Sequence, residues 1–88
     1  MDADERKEVM ENIISTRNHL IAISDYLASA NQIKRKILTQ LKLTLPEMKG
    51  VFQLIQSNTE DDEILNIAKE SLSLLSLTNK RLAAIKVI

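Results

Sequence analysis

Apolar residues recur at intervals of three and four along most of the chain, which is the period of an α-helix rather than of a β-strand. Carboxylates cluster ahead of the first apolar stripe, where they interact favourably with the positive end of a helix dipole. The stripe is interrupted by the polar residues Arg17 and Ser24 and otherwise consists of Met10, Ile13, Ile14, Leu20, Ile21, Leu27 and Ala28. The pattern predicts a first helix over about residues 4–29.

A second stripe, with the same steps of three and four, contains Pro46. Its members are Leu38, Leu41, Leu45, Met48, Phe52 and Ile55. The tetrapeptide that begins at Thr44 matches a capping box with proline in the first helical turn, so a new helix could begin there. The alternative is one helix over about residues 31–57 that is kinked or broken near Pro46. Because the stripe keeps its phase across the proline, we expect the second arrangement.

The segment 28–36 determines how the first two helices are arranged. The apolar positions keep their phase through it, which permits one long helix over residues 4–43 in an elongated coiled-coil dimer. However, Asn31, Lys34 and Arg35 would leave about two turns of that helix without apolar packing. Asn31 also tolerates the left-handed conformation that often ends a helix. We therefore predict a turn here and an all-α, up-down-up three-helix bundle, with the long helix as the alternative.

The third helix is predicted over about residues 60–86. Ser57, Asn58 and Thr59 are all good N-cap residues, and the four acids at 60–63 would occupy the first turn. Four neighbouring carboxylates could also suggest a cation site. Consecutive side chains on a helix point in different directions, however, and calcium loops place their ligands at alternate positions with a glycine at the turn. We expect a helix start here and no metal site.

The apolar arc of this third helix is wider than the roughly 100° stripe of an ordinary surface helix. Two overlapping stripes contribute to it, and residues near the C-terminus extend it. A broad arc needs two neighbouring helices, or one neighbour and another chain. We predict that part of it binds a protein partner, through Leu74, Leu77, Ile85 and Ile88. The alternative is that these four residues complete the core of the bundle.

Length, charge and cysteine content limit the function classes. The chain has 88 residues, which corresponds to one domain over 1–88, and 12 cationic and 12 acidic residues give no net charge. Cysteine is absent, which fits a reducing compartment. The N-terminal region is acidic and resembles no signal peptide, and no apolar run is long enough to span a bilayer. We expect a cytoplasmic protein without a membrane partner.

No pattern of catalytic residues is present. His19 is the only histidine, and no acid lies three or four residues from it. The serines form no nucleophile elbow, and the one glycine, Gly50, cannot supply a phosphate-binding loop. We therefore expect no enzyme activity, no cofactor and no metal.

The remaining classes are protein binding and nucleic-acid binding. The first prediction is a protein–protein interaction module, acting as a regulator, inhibitor or assembly subunit and forming a homodimer. The alternative is a DNA-binding regulator that uses a basic patch of Lys34, Arg35, Lys36 and Lys42. The zero net charge and the lack of stacking aromatics argue against nucleic acid.

In an up-down-up bundle the basic segment 34–36 would lie at one end with Lys80, Arg81 and Lys86. The acids at 60–63 would lie at the other end. Such a charge distribution can orient a partner or drive association of copies. The alternative is that these charges only complement the helix dipoles and keep the surface hydrated.

Overall fold

The computed structural model describes residues 1–88, which form three helices and a two-stranded sheet. The helices are α1 (Ala3–Ser29), α2 (Arg35–Ser57) and α3 (Asp62–Ala84), and the strands are β1 (Gln32–Ile33) and β2 (Lys86–Val87). Helices of this length are about 35–40 Å long, and the molecule measures 48 × 19 × 18 Å. The chain is the predicted all-α, up-down-up three-helix bundle. The alternative long helix over 4–43 does not form, because α1 ends at Ser29.

The core lies along the axis of the bundle, where α3 packs against both other helices. Phe52 is fully buried and is the largest of the enclosed side chains. The other twelve core residues are aliphatic: Ile13, Leu20, Ile23, Leu27, Ile33, Leu41, Leu45, Met48, Ile64, Ala68, Leu75 and Leu82. Tyr26 and Phe52 are the only aromatic residues of the chain, so the core is built almost entirely from aliphatic side chains.

The connection between α1 and α2 is extended rather than left-handed. Ala30, the C-cap of α1, has φ −81° and ψ 136°, and no residue of the chain has a positive φ. Asn31 therefore does not adopt the left-handed conformation that asparagine tolerates. Lys34 is also extended and is the N-cap of α2, so the second helix begins at Arg35 rather than near residue 31.

The end of α3 differs from the prediction because the last residues form a strand. The helix ends at Ala84 instead of continuing to about residue 86, and β2 pairs in parallel with β1, with Ile33 opposite Val87. The backbone N–H of Ile88 donates to the Ile33 carbonyl at 2.9 Å, and Arg35 N–H donates to the Ile88 carbonyl at 3.3 Å. The β-branched residues at 85, 87 and 88 favour this extended conformation.

The parallel pairing follows from the topology. α1 and α3 run in the same direction, and each strand directly follows one of them. The two strands therefore leave the same end of the bundle with the same polarity. Ile33 is only 1% exposed, so the pairing also closes that end of the core.

α2 continues through Pro46 as one helix. The predicted helix through Pro46 is confirmed without a break at the proline, and a new helix beginning near Thr44 is wrong. The Thr44 hydroxyl does not cap a helix but donates to the carbonyl of Gln40 at 2.9 Å.

The start of α3 lies two residues later than predicted. Asp61 is the N-cap, and its Oδ1 accepts a hydrogen bond from Ile64 N–H at 3.1 Å. Ser57 is the last residue of α2, and Asn58 caps the end of that helix. The Thr59 hydroxyl accepts from Asp61 N–H at 3.1 Å, so it supports the cap without being the cap itself.

The inward side of α3 contains two hydroxyl residues that the apolar pattern did not include. Ser71 and Thr78 are 1% and 0% exposed. Each hydroxyl donates a hydrogen bond to a backbone carbonyl of the same helix. Ser71 donates to the Ile67 carbonyl at 2.6 Å, and Thr78 donates to the Leu74 carbonyl at 2.7 Å. Such back-bonding removes much of the cost of burying a hydroxyl.

Candidate functional site

The predicted partner-binding residues divide into two kinds of environment. Leu74 and Ile85 are partly buried and pack against the core. Leu77 and Ile88 are 44% and 57% exposed. α3 therefore hides most of its broad apolar arc within its own chain, and two of the four residues remain accessible to a partner.

The most exposed large apolar side chains lie on α2 instead. Leu43 is 62% exposed and Leu54 is 65% exposed. They are eleven residues apart, which is close to three full helical turns, so both point to the same side of the helix. That side is opposite to the core-facing residues Leu41, Leu45, Met48 and Phe52.

We name this surface the outer α2 face. It follows steps of four and three along α2 and consists of Lys36, Gln40, Leu43, Glu47, Gly50, Leu54 and Ser57, all of them exposed. The apolar periodicity of α2 does not indicate this face, because its two leucines are out of phase with the main stripe of the helix. Their presence on the polar side of an amphipathic helix was the available signal.

Gly50 lies on this face between the two leucines. A glycine inside a helix costs about 1 kcal/mol relative to alanine. Its φ is not positive, and a Cβ added there would meet no atom within 4 Å. Neither the backbone conformation nor packing within this chain requires glycine at position 50.

The acids at the start of α3 are engaged by an arginine from α1. Arg6 Nε donates to Asp61 Oδ2 at 2.6 Å, and Arg6 Nη2 donates to Glu63 Oε2 at 2.8 Å. Hydrogen bonding to Arg6 lowers the pKa of Asp61, helped by the Ile64 backbone N–H, and the carboxylates of Asp61 and Glu63 raise the pKa of Arg6.

The other two acids of the segment, Glu60 and Asp62, form no salt bridge. No group of three or more His, Cys, Asp or Glu residues is arranged to hold a metal ion.

At the opposite end, a second arginine joins the same two helices. Arg81 Nη1 donates to the hydroxyl of Ser24 at 2.7 Å and to its carbonyl at 3.2 Å. Ser24 is 2% exposed, although the sequence pattern treated it as an interruption of the apolar stripe. The other interrupting residue, Arg17, has a buried Nε without a hydrogen-bond partner.

The predicted basic patch lies at this same end. Lys34, Arg35 and Lys36 are exposed at the start of α2. The sheet adds Lys86, which is opposite Gln32 in the parallel register. Lys42 is two helical turns beyond Arg35, about 10 Å further along α2. The structure thus brings Lys86 to the segment 34–36 and leaves Lys42 at a distance from it.

His19 is exposed and lines a shallow groove between α1 and α2. Glu47 and Met48 line the same groove, and no other acid or base does.

None of the helices is both long and apolar enough to cross a membrane.

Comparison of the chain with protein-family models, curated proteins and solved structures gives no match.

Proposed function

We propose that this chain is a non-enzymatic protein–protein interaction module whose main binding surface is the outer α2 face. The observation that carries the proposal is the pair of leucines, Leu43 and Leu54, that project into solvent from one side of one helix. Isolated exposed apolar residues are common on soluble proteins. Two leucines three turns apart on one side form the repeating contact that a helix or groove of another protein can cover.

Burial of the two leucines would supply binding energy through their apolar area. Fully burying a leucine side chain stabilises an interface by roughly 1.5–3 kcal/mol. Two such residues on one side can therefore contribute a substantial part of a binding energy, whereas α3 has Leu77 as its one exposed large apolar residue. We therefore assign the binding surface to α2 rather than to Leu77 and Ile88. The proposed setting is the cytoplasm, where a regulator, inhibitor or assembly subunit would meet its protein partner.

The test compares two double variants as baits. Leu43→Ser with Leu54→Ser removes the leucines of the outer α2 face, and Ile21→Ser with Leu77→Ser removes two exposed apolar residues elsewhere. Because all four side chains are at least 38% exposed, both variants should fold, with ellipticity unchanged and stability within about 1 kcal/mol. Proteins cross-linked to the wild-type chain in a lysate should be lost from the first variant and kept by the second. Retention of the same proteins by the first variant contradicts the proposal.

A second candidate function is nucleic-acid binding through the basic end. The observation that favours it is the sheet pairing, which adds Lys86 to the exposed segment 34–36. Fluorescence anisotropy with duplex DNA at two salt concentrations tests it. Binding through phosphates must weaken steeply as salt rises and must be lost when Lys34, Arg35 and Lys36 become glutamine. Binding that survives these changes, or no binding at low salt, contradicts this candidate.

A further inference from the structure

The outer α2 face has a geometry that fits a second copy of itself. From Gln40 to Ser57 its residues follow alternating steps of three and four, which is the spacing of the contact positions in a two-stranded coiled coil. The two leucines are symmetric about the middle of this stretch: Leu43 is three residues after Gln40, and Leu54 is three residues before Ser57. An antiparallel pair of α2 helices can therefore place Leu43 of one copy against Leu54 of the other, twice.

Gly50 supports a close approach at the centre of that pair. In the antiparallel register, Glu47 of one copy comes opposite Gly50 of the other. The open space at the Gly50 Cα leaves room for the aliphatic part of the glutamate side chain. Close packing between copies would therefore explain the glycine at position 50, which neither the backbone conformation nor packing within one chain requires.

The charge distribution selects the antiparallel direction. The start of α2 carries Lys34, Arg35 and Lys36, and the loop after its end carries Glu60, which is exposed and forms no salt bridge. A parallel pair would bring like charges together at both ends. An antiparallel pair brings the basic segment of each copy level with the acidic loop of the other, so both ends become attractive.

The register required by the leucines agrees with this charge pairing. With Leu43 opposite Leu54 of the second copy, Lys36 lies about 6 Å beyond Ser57 of that copy, where α2 has ended and the loop that carries Glu60 follows. The same contact occurs at the other end by symmetry. The leucines and the charges at the two ends therefore point to one arrangement.

We propose that the partner of the outer α2 face is a second copy of this chain, bound antiparallel so that Leu43 packs against Leu54 and Lys36 lies beside Glu60. This inference rests on the proposed function and specifies its partner. Each copy presents only two leucines, so we expect a weak, reversible dimer with a dissociation constant on the order of 10 µM.

Sedimentation equilibrium of the full chain between about 1 µM and about 1 mM tests the dimer. The wild type should pass from monomer to dimer, and Leu43→Asp should stay monomeric with unchanged ellipticity. Leu77→Asp is the matched control, because it adds the same charge at an exposed leucine outside the proposed interface. A wild type that is monomeric throughout, or a dimer abolished by Leu77→Asp and kept by Leu43→Asp, overturns the inference.

The orientation is tested by exchanging charges between copies. Lys36→Glu alone and Glu60→Lys alone should each weaken the dimer by about tenfold, because each creates two repulsive contacts. An equimolar mixture of the two variants should form a heterodimer of near wild-type affinity, since both of its end contacts are attractive. A mixture that associates no better than either variant overturns the antiparallel arrangement.

Gly50→Ala provides a readout that loss of folding cannot mimic. Alanine is the better helix former, so the melting temperature of the monomer should rise. The added methyl group should weaken the dimer by roughly fivefold, because the two helices can no longer approach as closely. Stronger dimerisation by this variant contradicts the proposed contact.

The inference and the proposed function can fail separately. If the wild type is monomeric at all concentrations but the Leu43→Ser, Leu54→Ser bait loses its cross-linked proteins, the second copy is the wrong partner and the binding role stands. If neither association nor capture depends on the two leucines, both are wrong.

Discussion

The two ends of the bundle are held together by different chemistry. At the acidic end, Arg6 of α1 forms ion pairs with Asp61 and Glu63, and the Arg6 and Glu63 side chains are 40% and 68% exposed. At the sheet end, Arg81 of α3 donates to the buried Ser24, and two strands close over Ile33. Each end thus uses one arginine to join α1 and α3, but only one of them binds a buried partner.

This difference indicates where stability resides. Solvent and salt screen exposed ion pairs, so they add little to the free energy of folding. Hydrogen bonds to buried groups and the burial of an isoleucine depend little on salt. The sheet end should therefore dominate stability, and the acidic end should respond to pH and ionic strength.

The largest effect is expected for Ile33→Ala at the sheet end. Ile33 belongs to the core cluster and is 1% exposed, so the substitution leaves a cavity and should lower the free energy of unfolding by about 3 kcal/mol. Urea denaturation followed by circular dichroism measures this. Ile21→Ala, at an exposed position of α1, is the control and should cost less than about 1 kcal/mol. Equal losses for the two variants would mean that the sheet does not close the core.

The second-largest loss of stability is expected when Arg81 can no longer donate hydrogen bonds to the buried Ser24. Arg81→Met keeps an apolar stem but removes both hydrogen bonds to Ser24, and should cost about 1–2 kcal/mol. Ser24→Ala removes only the bond to the hydroxyl and should cost less. Because the acceptors are neutral, we expect the loss for Arg81→Met to be the same at low and high salt. A loss that disappears in high salt would show that Arg81 acts mainly through its charge.

The sequence predicted the acidic end better than the sheet end. Helix periodicity and capping residues act over one or two turns, so the three helices, the turn at 28–36 and the acidic start of α3 could be recognised locally. The sheet joins Ile33 to Val87 across 54 positions of the chain, and no local pattern specifies that pairing. Its only signal was the β-branched composition of the last four residues.

The candidate site was predicted incompletely for a related reason. Ser71 and Thr78 bond to their own helix and occupy the core, so the buried side of α3 is rotated from the side that apolarity alone indicates. Leu77 is consequently exposed as predicted, whereas Leu74 packs against the core. Leu43 and Leu54 lie on the polar side of α2, outside the widest apolar arc of the chain, so that arc does not indicate them.

At the acidic end, smaller effects should separate the cap from the ion pair. Asp61→Ala removes both the hydrogen bond to Ile64 N–H and the pairing with Arg6, whereas Asp61→Asn keeps a capping oxygen. We expect the melting temperature to fall by a few degrees for alanine and by less for asparagine. Equal decreases would mean that the charge on Asp61 matters and its capping bond does not.

The smallest effect is a pH dependence confined to the acidic end. Arg6 lowers the pKa of Asp61 in the folded chain, so folding favours the ionised carboxylate. This contribution is fully present above the unfolded pKa of about 3.9 and is lost as the pH falls through the lower, folded pKa. The melting-temperature difference between wild type and Asp61→Asn should therefore be constant above about pH 4 and shrink below it.

Arg81→Met is the control for this experiment, because its effect arises at the other end of the bundle. Its melting temperature should keep a constant offset from that of the wild type through the same acid range. High salt should reduce the wild-type advantage over Asp61→Asn near neutral pH, since Arg6 and Asp61 lie where solvent reaches them. If the offset of Arg81→Met changes with pH as that of Asp61→Asn does, acid weakens the whole bundle, and the two ends do not differ in their chemistry as argued above.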